Sequence, residues 1–341
     1  MKKLIAVLLA ALMLLTLAAC GDKTETAAPA ESSSSESASA STSTASTGAK
    51  LRFVTGGESG TYYAFGSVIA QHATNNAGVN VVGLVGNGSQ ANVMELQDGN
   101  AELAFCQSDV MAYAYNGTNL FEETGKIDCF STVAALYMEQ VQIVTTDSSI
   151  KTVADLAGKK VSIGSAGSGV YFNAIDILGA YGLTENDIIP TYQSFGDSAN
   201  DMKDGKIDAA FIVAGAPTTA ITDLATTKDV YLVSLDDEHI EELTKTSDYY
   251  TKNVIAADVY GTDGDVTTVA VGAVILARDD VSEDAIYNFT KDLFDNAEAE
   301  VSSHAKYGEL NLEFASSVTS VPYHPGAAKY FAEKGIEVPT K

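Results

Sequence analysis

From Leu51 onward the chain alternates short apolar runs with longer stretches in which apolar residues recur every three or four positions. Runs of the first kind predict strands, and stretches of the second kind predict amphipathic helices. The order is Leu51 to Thr55 and a helix from Tyr62, Val79 to Val85 and a helix from Ser89, then Glu102 to Cys106 and a helix from Asp109. Strand–helix alternation of this kind predicts an α/β fold with a parallel sheet. Residues 131–145 read as extended, and a second series places strands at Lys160 to Ile163, Ile188 to Tyr192 and Ile207 to Val213. A last block carries a strand at Thr267 to Leu276, a helix from about Ser282 to Lys306, and a C-terminal piece around Pro322 to Phe331. Phe65, Val68, Ile69 and His72 share one helical stripe, as do Tyr171, Ala174, Leu178 and Tyr181, which is core spacing.

Two motifs occur twice in the same order. Ser59-Gly60-Thr61-Tyr62-Tyr63 returns as Ser168-Gly169-Val170-Tyr171-Phe172, and Asp98-Gly99-Asn100-Ala101-Glu102-Leu103-Ala104-Phe105 returns as Asp204-Gly205-Lys206-Ile207-Asp208-Ala209-Ala210-Phe211. The repetition predicts two similar lobes with a small-molecule cleft between them. Residues 50–140 plus 260–341 make the first lobe and 141–259 the second. Strand crossings near Val141 to Thr145 and Tyr260 to Ala273 would be the hinge.

The first 19 residues have a basic start, an apolar run from Leu4 to Leu17 and small residues before Cys20, the layout of an export signal. Leu17-Ala18-Ala19-Cys20 also resembles a lipoprotein processing site, which predicts a diacylated Cys20 and anchoring at the outer face of the cytoplasmic membrane. Residues 20–49 are rich in Ser, Thr, Ala and Glu without apolar periodicity, so they predict a disordered tether. The chain has 45 acidic and 20 basic residues, a poor surface for nucleic acid. Beyond Cys20 only Cys106 and Cys129 remain, enough for one disulfide but no framework; Cys106 sits in an apolar run that suits a buried thiol. His72, His239, His304 and His324 are scattered, and no spacing suggests a metal.

Open α/β sheets bind ligands beyond the carboxyl ends of their strands, where helix N-termini offer free N–H groups. The loops there are 55–61, 86–89, 107–109, 164–169 and 214–218, rich in Gly, hydroxyls and amides. Any single Ser or Thr among them would serve as a helix cap; five such loops in register point to a ligand. The only arginines, Arg52 and Arg278, lie outside these loops, so an anionic group would rest on hydroxyls, amides and helix N-termini. Gly86-Asn87-Gly88-Ser89-Gln90-Ala91 is close to a dinucleotide fingerprint, but Asp109 starts a helix where an acidic residue should end a strand. Ser59 and Ser168 lack the frame of a nucleophile elbow and have no placed His. A binding protein is therefore expected rather than an enzyme. The alternative is an extracellular enzyme using the Ser-Gly loops, with Glu58 as a base.

Eight short motifs in order then carry a resemblance. They are Gly56-Gly57 with Gly60-Thr61-Tyr62-Tyr63; Gly88-Ser89-Gln90-Ala91-Asn92; Leu103-Ala104-Phe105 with Gln107-Ser108-Asp109-Val110; and Asp155-Leu156-Ala157-Gly158-Lys159. The rest are Gly167-Ser168-Gly169; Asp204 to Phe211; Ala214-Gly215-Ala216-Pro217-Thr218; and Pro322-Tyr323-His324-Pro325-Gly326-Ala327. Over about Leu51 to Val338 the chain resembles the TAXI group of solute-binding proteins, which serve TRAP (tripartite ATP-independent periplasmic) transporters. The resemblance implies a type II periplasmic-binding-protein fold, with two α/β lobes joined by a strand hinge. It also implies capture of a small organic anion or amino acid, glutamate-like or glutamine-like, and delivery to an ion-gradient-driven TRAP permease without a cofactor. It carries over Thr61, Tyr62, Ser89, Asn92, Gln107, Asp109, Tyr137, Ser165, Ser168 and Pro217 as pocket residues. A carboxylate would sit near Thr61, Ser89 and Asn92; Asp109 would take an ammonium group or cap its helix. Glu58 stands where the group has a small residue and Val170 where it has Thr, which shifts the expectation toward an uncharged or zwitterionic ligand. The same features would suit a tethered receptor feeding a signalling protein, or an adhesive or structural lipoprotein that undergoes no ligand-induced change in stability.

Overall fold

The computed structural model describes Gly48 and residues 50–341. The export signal, the Cys20 lipidation site and, Gly48 apart, the tether lie outside the described residues. The chain opens with β1 (Lys50–Val54), α1 (Thr61–Asn76), β2 (Asn80–Leu84), α2 (Ser89–Gln97), β3 (Leu103–Gln107), α3 (Ser108–Asn116) and the long β4 (Phe130–Thr145). A middle series follows: β5 (Lys160–Ser162), α4 (Gly169–Ala180), β6 (Ile189–Thr191), α5 (Phe195–Lys203), β7 (Ala209–Ala214), α6 (Thr219–Ala225), β8 (Tyr231–Leu232), α7 (Asp237–Thr246) and β9 (Thr251–Ile255). The chain then returns through β10 (Val266–Arg278), α8 (Glu283–Asp295), α9 (Ala297–Glu300), α10 (Leu312–Ala315) and α11 (Pro325–Glu333).

The sheet runs β2-β1-β3-β10-β4-β7-β5-β6, with β8 added to β4 and β9 to β10. It is mixed where the alternation of elements predicts a parallel sheet. Pairing is parallel within β2-β1-β3 and within β6-β5-β7. It is antiparallel where β10 meets β3, where β10 meets β4, and where β4 meets β7. The cause is β4 itself, an almost wholly buried strand with no helix of its own to carry the chain back parallel. Its first part, Phe130 to Gln140, pairs with Arg278 to Ala270 of β10, and its last part, Gln140 to Thr145, pairs with Ala214 to Ala209 of β7. Both long strands thus run through both halves of the sheet.

Separate apolar clusters lie on the two halves. Phe53, Phe65, Phe105, Phe289 and Phe331 are buried between β1, β3, α1, α8 and α11, with the Phe53 and Phe105 rings stacked at 5.1 Å. Val161, Ile177, Leu178, Phe211, Ile240 and Leu243 fill the other half. The expected helix from Ser282 to Lys306 breaks at Asn296, whose amide donates to the Asp292 backbone carbonyl at 3.0 Å. Asn at that point competes with helix continuation. Each histidine has a packing role. His72 meets Asp292, His239 meets Asp236 and stacks on Tyr181, His304 stacks on Phe65, and His324 caps α11. Cys106 and Cys129 are both free thiols.

Candidate functional site

The strands of both halves end facing one another, and the helices that follow them begin there. α1, α2, α4 and α5 start at the wall of a cavity of about 290 Å³. One side is formed by residues 56–62, residues 86–89 and Gln107, the other by Ser165, residues 168–170, residues 194–197, Asn200, Val213 and Ala214. Glu139 enters from β4, between the two. Gly60, Gly88 and Ser168, the residues before α1, α2 and α4, make no side-chain cap, which leaves first-turn N–H groups available to a ligand. Gly88 has φ +103°, and a Cβ there would lie 3.0 Å from the Ser168 Cα and Cβ, so only glycine lets the two loops approach so closely. The loops also touch through hydrogen bonds: the Ala91 N–H donates to the Gly167 carbonyl at 2.9 Å, and the Thr61 hydroxyl donates to the Gly215 carbonyl at 2.8 Å.

Thr61, Tyr62, Ser89, Gln107, Ser165 and Ser168 are brought together around this cavity. Tyr62 stacks on Phe105 with ring centroids 4.5 Å apart, and its hydroxyl donates to Glu139 Oε2 at 2.8 Å. Ser89 Oγ accepts from the Gln107 N–H at 3.0 Å. Ser168 Oγ and Gln107 Oε1 are buried without a protein partner.

Four expected pocket residues do not line the cavity. The Asn92 amide faces away from it, donating to the carbonyls of Thr55 at 2.5 Å and Phe105 at 2.8 Å, where it ties α2 to β1 and β3. Asp109 is fully buried in the first turn of α3, its Oδ2 accepting from the Asn173 amide at 2.9 Å, and burial pushes its carboxyl up to about 6. Tyr137 is buried beneath Lys306, whose ammonium lies 5.1 Å from the ring centre. Pro217 is exposed, after a cis peptide bond.

Sequence reasoning passed over Glu139. It is 2% exposed, and burial pushes its carboxyl up to about 8 against the opposing effects of the Tyr62 hydrogen bond and Lys306. The available signal was its position: the one charged residue among the sixteen of β4. Asn87, in the expected loop 86–89, lines the cavity, and Phe195, Asp197 and Asn200 line it without having been expected. Among the lining residues there is no Lys, Arg, His or Cys. Both arginines are held elsewhere: Arg52 by Glu102, with Nε to Oε2 at 2.9 Å, and Arg278 by Asp280 and the Ala101 carbonyl. Acceptors and backbone donors are thus both present, without a cationic side chain.

Residues 53–335 match the NMT1-like family. A solved protein of Bordetella bronchiseptica RB50 overlays with a TM-score of 0.50 at 14% identity, covering 83% of this chain and 82% of that one, which shows a shared fold. The alkanesulfonate-binding protein SsuA from Xanthomonas axonopodis pv. citri overlays with a TM-score of 0.46 at 16% identity, covering 83% of each chain. An ancestral arginine-binding protein overlays with a TM-score of 0.44 at 15% identity, covering 78% of this chain and 97% of that one.

Proposed function

The chain belongs to the NMT1-like family, within the solute-binding-protein superfamily, and from that premise we propose that it is an exported receptor for a small solute. The observation that carries this reading is the cavity itself, enclosed by loops from both halves of the sheet and faced by the starts of α1, α2, α4 and α5. A carboxylate fits there because first-turn N–H groups and the positive ends of helix dipoles favour an anion. The buried Ser168 and Gln107 oxygens, which lack protein partners, would gain them from a solute.

In this reading residues 50–140 plus 260–341 and residues 141–259 act as two lobes, and β4 and β10, which run through both, are the hinge. Closure is favoured only by a ligand that contacts both sides. Cys20 carries the lipid that holds the receptor at the outer face of the cytoplasmic membrane. The eight motifs shared with the TAXI group support delivery to an ion-gradient-driven TRAP permease, with a carboxylate or amino acid as cargo. Binding rather than catalysis is supported by the lining serines, Ser89 and Ser168, having no His among the lining residues to pair with as a Ser–His nucleophile.

Thermal unfolding of the full-length protein against amino acids, dicarboxylates, keto acids, sulfonates and sugars tests the reading. A true ligand at about a hundred times its Kd adds roughly 2.7 kcal/mol and raises the midpoint by several degrees. Midpoints that stay flat across every class would overturn it.

A further inference from the structure

We infer that Glu139 is the ammonium-binding group of the cavity, so that the ligand is a zwitterion such as an amino acid and not a simple carboxylate anion. The inference rests on reading the cavity as a solute site and narrows the class of solute. Glu139 Oε2 accepts from Tyr62, and among the described residues no hydrogen bond reaches Oε1. Of the five buried side-chain oxygens without protein partners among the described residues, Gln107 Oε1 and Ser168 Oγ belong to the cavity wall, whereas Asn92 Oδ1, Asp109 Oδ1 and the Tyr137 hydroxyl belong to residues outside it. The identity of the free Gln107 atom follows from its neighbours. The Asn173 amide nitrogen donates to Asp109 Oδ2 at 2.9 Å and to the Tyr250 hydroxyl at 2.9 Å. Asn173 Oδ1 must therefore accept, and it does so from Gln107 Nε2 at 3.0 Å. What remains at Gln107 is a carbonyl oxygen, an acceptor only. Once Glu139 is ionised, its free Oε1 and Gln107 Oε1 accept only, and with the Ser168 hydroxyl of the same cavity wall they suit a group with three donors, which is an ammonium.

The surrounding charges point the same way. Glu58 and Asp197 add carboxylates at the exposed rim. Facing Glu139 are Tyr62 from α1, Tyr137 on its own strand, Cys106 from β3, Asp109 from α3 and Lys306 from the 3-10 turn Ala305–Glu309. Lys306 is already engaged by Glu309 Oε1 at 2.5 Å and the Ala216 carbonyl at 3.1 Å. A purely anionic ligand would bring another negative charge beside these carboxyls, whereas a zwitterion places its carboxylate on the helix N-termini and its ammonium on Glu139.

Burial holds the free Glu139 carboxyl at about 8, so it is largely protonated at neutral pH, and an arriving ammonium draws it down. Binding then releases a proton, and affinity rises about tenfold per pH unit from pH 6 toward pH 8. The test is isothermal titration of the full-length protein at pH 6, 7 and 8 with the twenty standard amino acids and with glutarate, glutaramate, propionate and 4-methylpentanoate, the deaminated counterparts of glutamate, glutamine, alanine and leucine. The expected result is an amino acid that binds about a hundredfold more tightly than its counterpart, with the rising pH profile. Glu139→Gln, which keeps an acceptor for Tyr62, should lose about a hundredfold and flatten the profile while its ligand-free unfolding midpoint at pH 7 is retained or raised. Equal or tighter binding of a deaminated acid, or an unchanged affinity and slope in Glu139→Gln, would overturn the ammonium site and leave the receptor reading standing. No binding by any of these compounds would likewise overturn the ammonium site, and the receptor reading would then stand or fall on the wider panel of solutes.

Discussion

Asn92→Ala is expected to destabilise the folded protein by about 2 to 5 kcal/mol, the cost of leaving two buried carbonyls unpaired. The Asn92 side chain is fully buried, and its one amide nitrogen serves both Thr55 and Phe105. These carbonyls sit at the end of β1 and within β3, beside the loops that shape the cavity, so the loss also loosens the cavity wall. Alanine leaves no donor in reach and opens a void. Asn92→Asp keeps the volume but substitutes acceptors for the donor, facing a carboxyl to two carbonyls, and is expected to be worse still. Urea unfolding of the three proteins measures the effect. A residue that merely touched ligand would lower affinity and leave the unfolding midpoint in place, so an unshifted midpoint in Asn92→Ala would contradict the structural role.

Raising the pH from 5 to 8.5 is expected to destabilise the protein by several kcal/mol, because two buried carboxyls keep their protons in the folded state at pH values where the unfolded chain releases them. Burial raises Glu139 from 4.5 to about 8 and Asp109 from 3.8 to about 6. For a group whose folded pKa lies above its unfolded value, the stabilisation is complete below the unfolded pKa and disappears as pH climbs through the folded one. Asp109 therefore acts between about pH 4 and 6, and Glu139 between about pH 4.5 and 8. Each is worth on the order of 3 kcal/mol. Carboxyls moved the other way, such as Glu102 beside Arg52, lose their contribution only as the solution becomes more acidic. Stability should thus peak near pH 4 to 5. Denaturant midpoints across this range test it, with Glu139→Gln flattening the upper part of the curve and Asp109→Asn the lower. Stability that rose steadily from pH 5 to 8.5 would contradict the buried environment of both groups.

How much of this was legible depended on the range of the interactions involved. The loops at 55–61, 86–89 and 164–169 could be read in advance because glycine and hydroxyl residues cluster where a strand gives way to a helix, a local pattern. The cavity wall is built from those loops. Asn92 sits in the same kind of loop-and-helix context, but one turn into α2 its side chain points at two strand carbonyls, which depends on the close packing of α2 against β1 and β3. Local pattern cannot distinguish the two roles. Glu139 was missed for the opposite reason: a strand-centre carboxyl has no motif, and its meaning comes from Tyr62, 77 positions away in sequence. The mixed sheet was also hidden, because antiparallel pairing of β4 with β10 joins segments more than a hundred residues apart. Residues 219–255 fold into α6, β8, α7 and β9, short elements of which α7 is amphipathic on only two buried apolar residues, Ile240 and Leu243.

The most direct test of the central claim, that a solute sits in this cavity, is calorimetric titration of Ser168→Ala beside the unaltered protein, using the solute that raises the unfolding midpoint most. Ser168 Oγ is buried without a protein partner, so removing it should leave the ligand-free midpoint unchanged or slightly raised. The account predicts one site on the unaltered protein with a Kd near 1 μM, about −8 kcal/mol, and at least tenfold weaker binding in the variant. Equal affinity in the two proteins would place the solute elsewhere and contradict the account.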